Sequence, residues 1–195
     1  MKVLGVNGSP RVRGNTEIML QESLAAAQAE GAEVELVSLS RKNIMPCDGC
    51  LSCSKKKVCH IKDDMQEIYP KLLEADGIIF GTPLYFSTES AQAKALIDRT
   101  YAFWEQGSLK NKAGATVVTS SGGDCSMAIE PFSQFFKWQG MVKVGAAVGK
   151  GGSKKGQYGY LFPKGGIKQD EKGLAEARAL GKAVVDCIKS PETTS

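Results

Sequence analysis

The chain predicts an α/β domain in which five parallel strands form a doubly wound sheet covered by helices on both faces. Three observations carry this. Short apolar runs bounded by glycines alternate with longer segments whose apolar residues recur at helical spacing. That alternation requires a parallel sheet buried on both sides. The 195 residues, 42% hydrophobic and 24% charged, are an ordinary composition for one domain that can bury a core without staples. No internal repeat or linker divides them, so residues 1–195 read as a single domain.

Lys2 to Asn7 is a buried strand that runs into Gly8-Ser9-Pro10, and Asn15 to Glu30 follows as a helix with Gly31 as its stop. Val34 to Leu39 is the second strand. Asp63 to Ala75 places Met65, Ile68, Tyr69, Leu72 and Leu73 on one helical face. Gly77 to Gly81 is the third strand, Ser90 to Phe103 a helix, Ala115 to Ser120 the fourth strand, and Ile129 to Trp138 a helix. Met141 to Val148 is the fifth strand, and the Ala-rich run from Glu171 to Ile188 closes the chain as a helix. Five such units in this length suit the flavodoxin-like strand order 2-1-3-4-5. Two stretches fall outside the alternation. One is the cysteine segment 41–62. The other is an irregular loop, 149–166, with Lys154, Lys155, Tyr158, Tyr160 and Phe162 among seven glycines. Its aromatics suggest a contact with a partner or subunit as readily as a surface excursion.

Cys47, Cys50, Cys53 and Cys59 lie within thirteen residues in the order Cys-x2-Cys-x2-Cys-x5-Cys. Thiolates packed this closely suit a cubane [4Fe–4S] cluster, because each reaches a different corner of one cube. Zinc and free or disulfide-bonded thiols are the other uses. A structural zinc site usually brings two Cys-x2-Cys knuckles about twelve or more residues apart, a pattern unlike this one. Cys125 and Cys187 lie outside the motif and read as small buried apolar residues. His60, next to Cys59, reads as a surface neighbour.

The segment Gly8-Ser9-Pro10-Arg11-Val12-Arg13-Gly14-Asn15-Thr16 joins the first strand to the first helix, where ligands bind in open α/β sheets. Backbone N–H groups and the positive helix end make an anion site there, and Ser9, Arg11, Asn15 and Thr16 add donors. It is neither a Walker A loop nor Gly-x-Gly-x-x-Gly, and a phosphate monoester fits it best. Gly81-Thr82-Pro83-Leu84-Tyr85-Phe86 and Ser120-Ser121-Gly122-Gly123 end the third and fourth strands and would frame the same ligand. The aromatic pair suits a planar ring shielded from water.

The net charge of +4 is too mild for a nucleic-acid surface. No stretch approaches the roughly 20 apolar residues that span a bilayer. The start of the chain does not read as a signal peptide, so a cytoplasmic protein is expected, where clustered cysteines are more often metal ligands than disulfides.

Gly8-Ser-Pro-Arg-x-x-Gly-Asn-Thr16, the four-cysteine segment, Asp63-Asp64-Met65, Gly81-Thr-Pro-Leu-Tyr-Phe86 and Lys94-Ala-Leu-Ile-Asp-Arg99 together resemble the iron–sulfur flavoprotein family. That family is part of the NADPH-dependent FMN reductase-like group within the flavodoxin superfamily. The resemblance runs to about residue 150 and is specific in the first hundred. It implies non-covalent FMN, a [4Fe–4S] cluster on Cys47, Cys50, Cys53 and Cys59, and assembly as a homodimer or homotetramer with one subunit's cluster near another's flavin. By motif, Ser9, Arg11, Gly14, Asn15 and Thr16 would hold the phosphate. Thr82, Pro83, Leu84, Tyr85 and Phe86 would line the ring, with Ser120, Gly122 and Gly123 on its far side. The implied activity is electron transfer between a one-electron carrier and a two-electron acceptor. No general acid–base pair stands out, which suits chemistry that belongs to a cofactor. Lys55, Lys56, Lys57 and Lys62 would attract an acidic carrier such as ferredoxin. The alternatives are an NAD(P)H-dependent FMN or quinone reductase and a non-catalytic iron–sulfur redox sensor.

Overall fold

Side chains along β1 (Lys2–Asn7) alternate between two apolar layers, Val3 on one and Leu4 and Val6 on the other. β3 (Gly77–Pro83) does the same with Ile79 against Ile78 and Phe80. Both strands are therefore interior. They lie in the middle of a five-stranded parallel sheet whose order is β2 (Glu33–Ser38), β1, β3, β4 (Ala113–Ser120), β5 (Val142–Lys150). The register pairs Gly5 with Leu36 on one side and with Ile79 on the other, which brings the ends of β1 and β3 level. This is the flavodoxin-like order expected from the sequence. The computed structural model describes residues 1–122, 124–152, 154–156, 159–161 and 163–190.

One layer packs α1 (Asn15–Ala29) and α7 (Glu171–Lys189) on the sheet through Met19, Leu20, Leu24, Leu180 and Val184. The other packs α3 (Met65–Glu74), α4 (Ala91–Arg99), α5 (Tyr101–Trp104) and α6 (Ser126–Gln139) through Ile68, Leu72, Leu96, Phe103, Phe132 and Phe136. Among the described residues no helix is long and apolar enough to cross a membrane.

Three elements differ from the sequence expectation. The helix expected from Ser90 to Phe103 is two, interrupted at Thr100. The Thr100 hydroxyl bonds back to the Ile97 carbonyl at 2.6 Å, while Gln139 and Tyr69 take the Thr100 and Arg99 carbonyls, so side chains replace the helical ladder. The helix expected at Ile129 starts at Ser126, because the Asp124 carboxylate accepts from the Ser126 N–H (2.9 Å) and hydroxyl (2.8 Å). Finally, the stretch 149–166 is not wholly irregular. β5 extends to Lys150, and β6 (Lys154–Gly156) and β7 (Gly159–Leu161) pair antiparallel as a separate sheet. Tyr158 and Phe162 lie outside the described residues.

Candidate functional site

The loop between β1 and α1 is shaped from below. Asn7, fully buried, accepts the Ser9 N–H on Oδ1 (3.0 Å) and donates from Nδ2 to Glu17 and Ser38 at 3.3 Å each. Ser9 Oγ accepts the Arg11 N–H at 3.2 Å, and Glu17 accepts the Arg13 N–H at 2.8 Å. Gly8 must be glycine, since a Cβ there would come within 2.8 Å of Ala93 Cβ and 2.9 Å of the Gly81 carbonyl. The N-cap of α1 is Gly14, which offers no side-chain acceptor, so the first-turn amides of α1 stay uncapped. An uncapped helix start beside Arg11 is an anion cradle.

A cavity of about 170 Å³ opens over this cradle, lined by Ser9, Arg11, Asn15, Thr16, Pro83, Leu84, Tyr85 and Ser120, all anticipated from sequence. Ser121, from the loop expected to frame the ligand, also lines it, as do Thr119 and Gly152, which were not anticipated. The buried Thr16 and Thr119 hydroxyls bond each other at 2.7 Å, tying the start of α1 to the end of β4. Such a pair needs the sheet order to be seen.

Several sequence-derived candidates sit elsewhere. Thr82 is fully buried and holds the loop from beneath, accepting the Ser90 N–H at 2.9 Å and donating to the Pro83 carbonyl at 3.0 Å. Gly14 and Gly122 do not line the cavity, and Gly123 lies outside the described residues. Phe86 is fully exposed at the tip of a turn in which Phe86 (φ 47°) and Ser87 (φ 68°) are both left-handed. Tyr85 and Thr88 close that turn with bonds of 2.9 and 3.0 Å. A bulky residue at positive φ is held there against its preference, which rules out Phe86 as a core aromatic.

Asn15 lines the cavity, but its side chain is engaged with the segment 163–167. Oδ1 accepts from the Gly165 N–H (2.8 Å) and at the limit from Ile167 (3.5 Å), while Nδ2 donates to the Pro163 carbonyl (3.3 Å). Asn15 therefore clamps a strap over the cavity wall through its Oδ1 and one of the two hydrogens on Nδ2.

The cysteine segment forms a second, larger cavity of about 580 Å³, where Cys47, Cys50, Cys53 and Cys59 meet Tyr101, Trp104 and Trp138. Cys53 and Cys59 lean on the core, and Cys47 and Cys50 are exposed. A short helix, α2 (Ser52–Lys56), carries Cys53 between two left-handed residues, Leu51 and Lys57, which turn the chain around it. Among the described residues the ligand atoms of Asp48, Cys50 and His60 lie within 4.8 Å of one another. Four thiols gathered on one cavity supply the ligand set that a cluster of several metals needs. Burial, then the neighbouring Cys59 and Cys47, push the Cys53 thiol up, and a cationic metal centre would relieve that.

The loop's ends are pinned by a buried ion pair that sequence reading quoted without a role. Arg99 Nη1 donates to Asp63 Oδ2 (2.6 Å) and the Met45 carbonyl (2.8 Å), and Nη2 donates to Asp63 Oδ1 (3.1 Å) and the Ile61 carbonyl (3.4 Å). Asp63 also accepts the Met45 and Met65 N–H groups. Burial works against its charge, but the Arg99 hydrogen bond and these amides outweigh it and hold the carboxyl below its usual range. Closer to the thiols, Asp48 bridges the two halves of the loop, accepting the Cys50 N–H at 3.2 Å and meeting His60 Nε2 at 2.7 Å. His60 thus has a loop-closing contact. An acid–base pair across a sequence gap, such as Asp63 with Arg99, carries no local signal.

Comparison with known proteins adds the following. The family model for NADPH-dependent FMN reductase matches residues 1–154. An iron–sulfur flavoprotein of Methanocaldococcus jannaschii is 40% identical over 194 residues, covering 97% of this chain and 98% of that protein. An iron–sulfur flavoprotein of Archaeoglobus fulgidus is 33% identical over 198 residues, covering 97% and 98%. Among solved structures, RosB with bound 8-demethyl-8-formylriboflavin-5'-phosphate superimposes with a TM-score of 0.76 at 16% identity, over 100% of this chain and 82% of that one. That last likeness is one of fold.

Proposed function

The chain belongs to the iron–sulfur flavoproteins of the NADPH-dependent FMN reductase family, and on that premise we propose that this oxidoreductase holds FMN over the cradle and a [4Fe–4S] cluster on its four thiols. It passes electrons between an acidic one-electron carrier such as ferredoxin and a two-electron acceptor. The observation that carries this reading is the set of four soft ligands on one cavity beside the exposed Lys55, Lys56, Lys57 and Lys62.

Bound FMN supplies exchange of a hydride or of single electrons, and a cubane cluster exchange of one. Ser9, Arg11 and the first-turn amides of α1 bind the phosphate. The cavity over them, at about 170 Å³, is below the roughly 300–1,000 Å³ that encloses a whole ligand. It therefore encloses the anionic end and leaves the ring beside Tyr85 and the exposed Phe86. A second copy of the chain covers that ring, which makes the working unit a homodimer or homotetramer. The four lysines, none in an ion pair among the described residues, steer an acidic partner to the thiol face.

Anaerobically purified protein is expected to carry one FMN and about four irons and four labile sulfides per chain. Cys50→Ala removes the broad visible absorption and leaves the flavin. Reduced ferredoxin is a faster donor than NADPH and slows as salt rises, since exposed charges are screened beyond about 10 Å at 0.1 M. Reversing Lys55, Lys56 and Lys57 to Glu slows association without changing cofactor content. Stoichiometric zinc without labile sulfide would end the cluster reading. Rapid reduction of a cluster-free Cys50 variant by NADPH, with ferredoxin no better a donor to the intact protein, would establish an NAD(P)H-dependent flavin or quinone reductase instead.

A further inference from the structure

Arg99 is 2% exposed, and its two terminal nitrogens are spent on Asp63, Met45 and Ile61. Its third donor is not. The Nε–H is buried and has no partner, whereas about nine in ten buried N–H groups find one. Arg99 is among the residues that line the cavity holding Cys47, Cys50, Cys53 and Cys59, and its side chain is buried behind that wall. Desolvation opposes the guanidinium's charge, but the Asp63 hydrogen bond, then Tyr69 and Cys59, hold it firmly protonated. Cys59 is thus within its field. A fixed cation with one idle donor on a thiolate cavity is built for an anion there.

We infer that Arg99 is a positioning residue for the metal centre, doing two things at once. Its fork on Asp63 and on the carbonyls at both ends of the loop sets where the thiolates stand. Its charge and its unpartnered Nε–H would act on the anionic cluster, favour the state with one more electron, and so raise the reduction potential. This rests on the proposed [4Fe–4S] assignment. Hydrogen bonds and charge close to the sulfurs are the levers by which a protein sets that potential. Because Asp63 is the counter-ion to Arg99, the two residues should act with opposite sign on the cluster, although as parts of one structural clamp they would act alike.

The test is a redox titration of full-length, anaerobically prepared protein, with iron and labile sulfide measured on each sample and FMN as the internal reference. Arg99→Met is expected to make cluster reduction at least tenfold less favourable, about 59 mV for one electron. Asp63→Asn is expected to make it more favourable, and Arg99→Lys to stay nearer to wild type than Arg99→Met. The FMN potential should not move. If Arg99→Met does not load iron, the upward shift in Asp63→Asn decides. Potentials that do not move, that move together in one direction, or loss of the cluster from all three folded variants would leave Arg99 only a structural clamp and overturn the inference. Wild-type protein without labile sulfide would instead sink the assignment on which it rests.

Discussion

Replacing Asn15 by Ala separates a phosphate ligand from a clamp. The substitution removes two hydrogen bonds of ordinary length, at 2.8 and 3.3 Å, to the segment 163–167; the contact with Ile167, at 3.5 Å, adds little. At about 1 kcal/mol net for each bond, docking of the strap weakens by about 2 kcal/mol, or about thirtyfold. Gly151, whose Cα leaves no room for a Cβ against Asn15 Nδ2, and Gly152, which lines the cavity, continue the same wall. The loss should therefore weaken FMN and riboflavin alike, by up to about that factor, and speed amide exchange at Gly165 and Ile167. Arg11→Ala is the control. It removes a charge-assisted contact worth about 1.5–3 kcal/mol, and should weaken FMN while leaving riboflavin unchanged. Titration of both ligands with both variants, alongside hydrogen exchange, makes the comparison. An Asn15→Ala protein that loses affinity for FMN only, with exchange unchanged, would show that Asn15 is itself a phosphate ligand.

Two further outcomes follow from buried pairs. Thr119→Val strands the Thr16 hydroxyl, bonded across 2.7 Å to its partner, and should cost about 1–3 kcal/mol of unfolding free energy. The double variant Thr16→Val with Thr119→Val should recover most of it, and additive single effects in denaturant unfolding would refute the pairing. The Asp63 carboxyl is held below its usual range mainly by the Arg99 hydrogen bond, against its own desolvation. A depressed folded value means that its stabilisation is complete above the unfolded pKa of about 3.9 and is lost as pH falls through the lower folded value. Stability measured from pH 2 to 6 should carry this acid-side slope in wild type and lack it in Asp63→Asn.

The strand order was legible because β1, β3 and β4 are continuous apolar runs ended by glycine, serine or proline, and only a parallel sheet buries such runs. The cradle was legible for the same reason. Its residues follow one strand directly, so position along the chain equals position in space. What could not be read involves partners far apart in sequence. Thr16 meets Thr119, Asn15 meets Gly165, and Arg99 meets both Met45 and Ile61. Asn15 shows the limit most clearly. An asparagine at a helix start suggests a donor for phosphate, yet its Oδ1 and one of its Nδ2 hydrogens are taken by a segment about 150 residues later. Thr82 turns away from the cavity for a different reason. In a strand whose side chains alternate, being next to a loop does not decide which face a hydroxyl takes.

The two cavities meet in one short element. α4 is capped by Ser90, whose hydroxyl donates to the Gly8 carbonyl at 2.6 Å and accepts the Ala93 N–H at 3.3 Å, so the helix cap is also a peg under the anion cradle. α4 ends at Arg99, whose fork holds both ends of the cysteine loop. Ala93, Leu96 and Arg99 are its buried positions, three residues apart on one face. At about 1.5 Å per residue, nine residues separate the two anchors by about 13 Å along the helix. The cradle and the thiol loop are therefore not placed independently. One more residue in α4 would carry Arg99 about 1.5 Å further and about 100° around the axis, taking the guanidinium off Asp63 and off both carbonyls. Since both charges of that pair have fully buried side chains, the misplaced cation would have no solvent to replace its partner. The length of α4 is thus the physical quantity that fixes one cavity relative to the other.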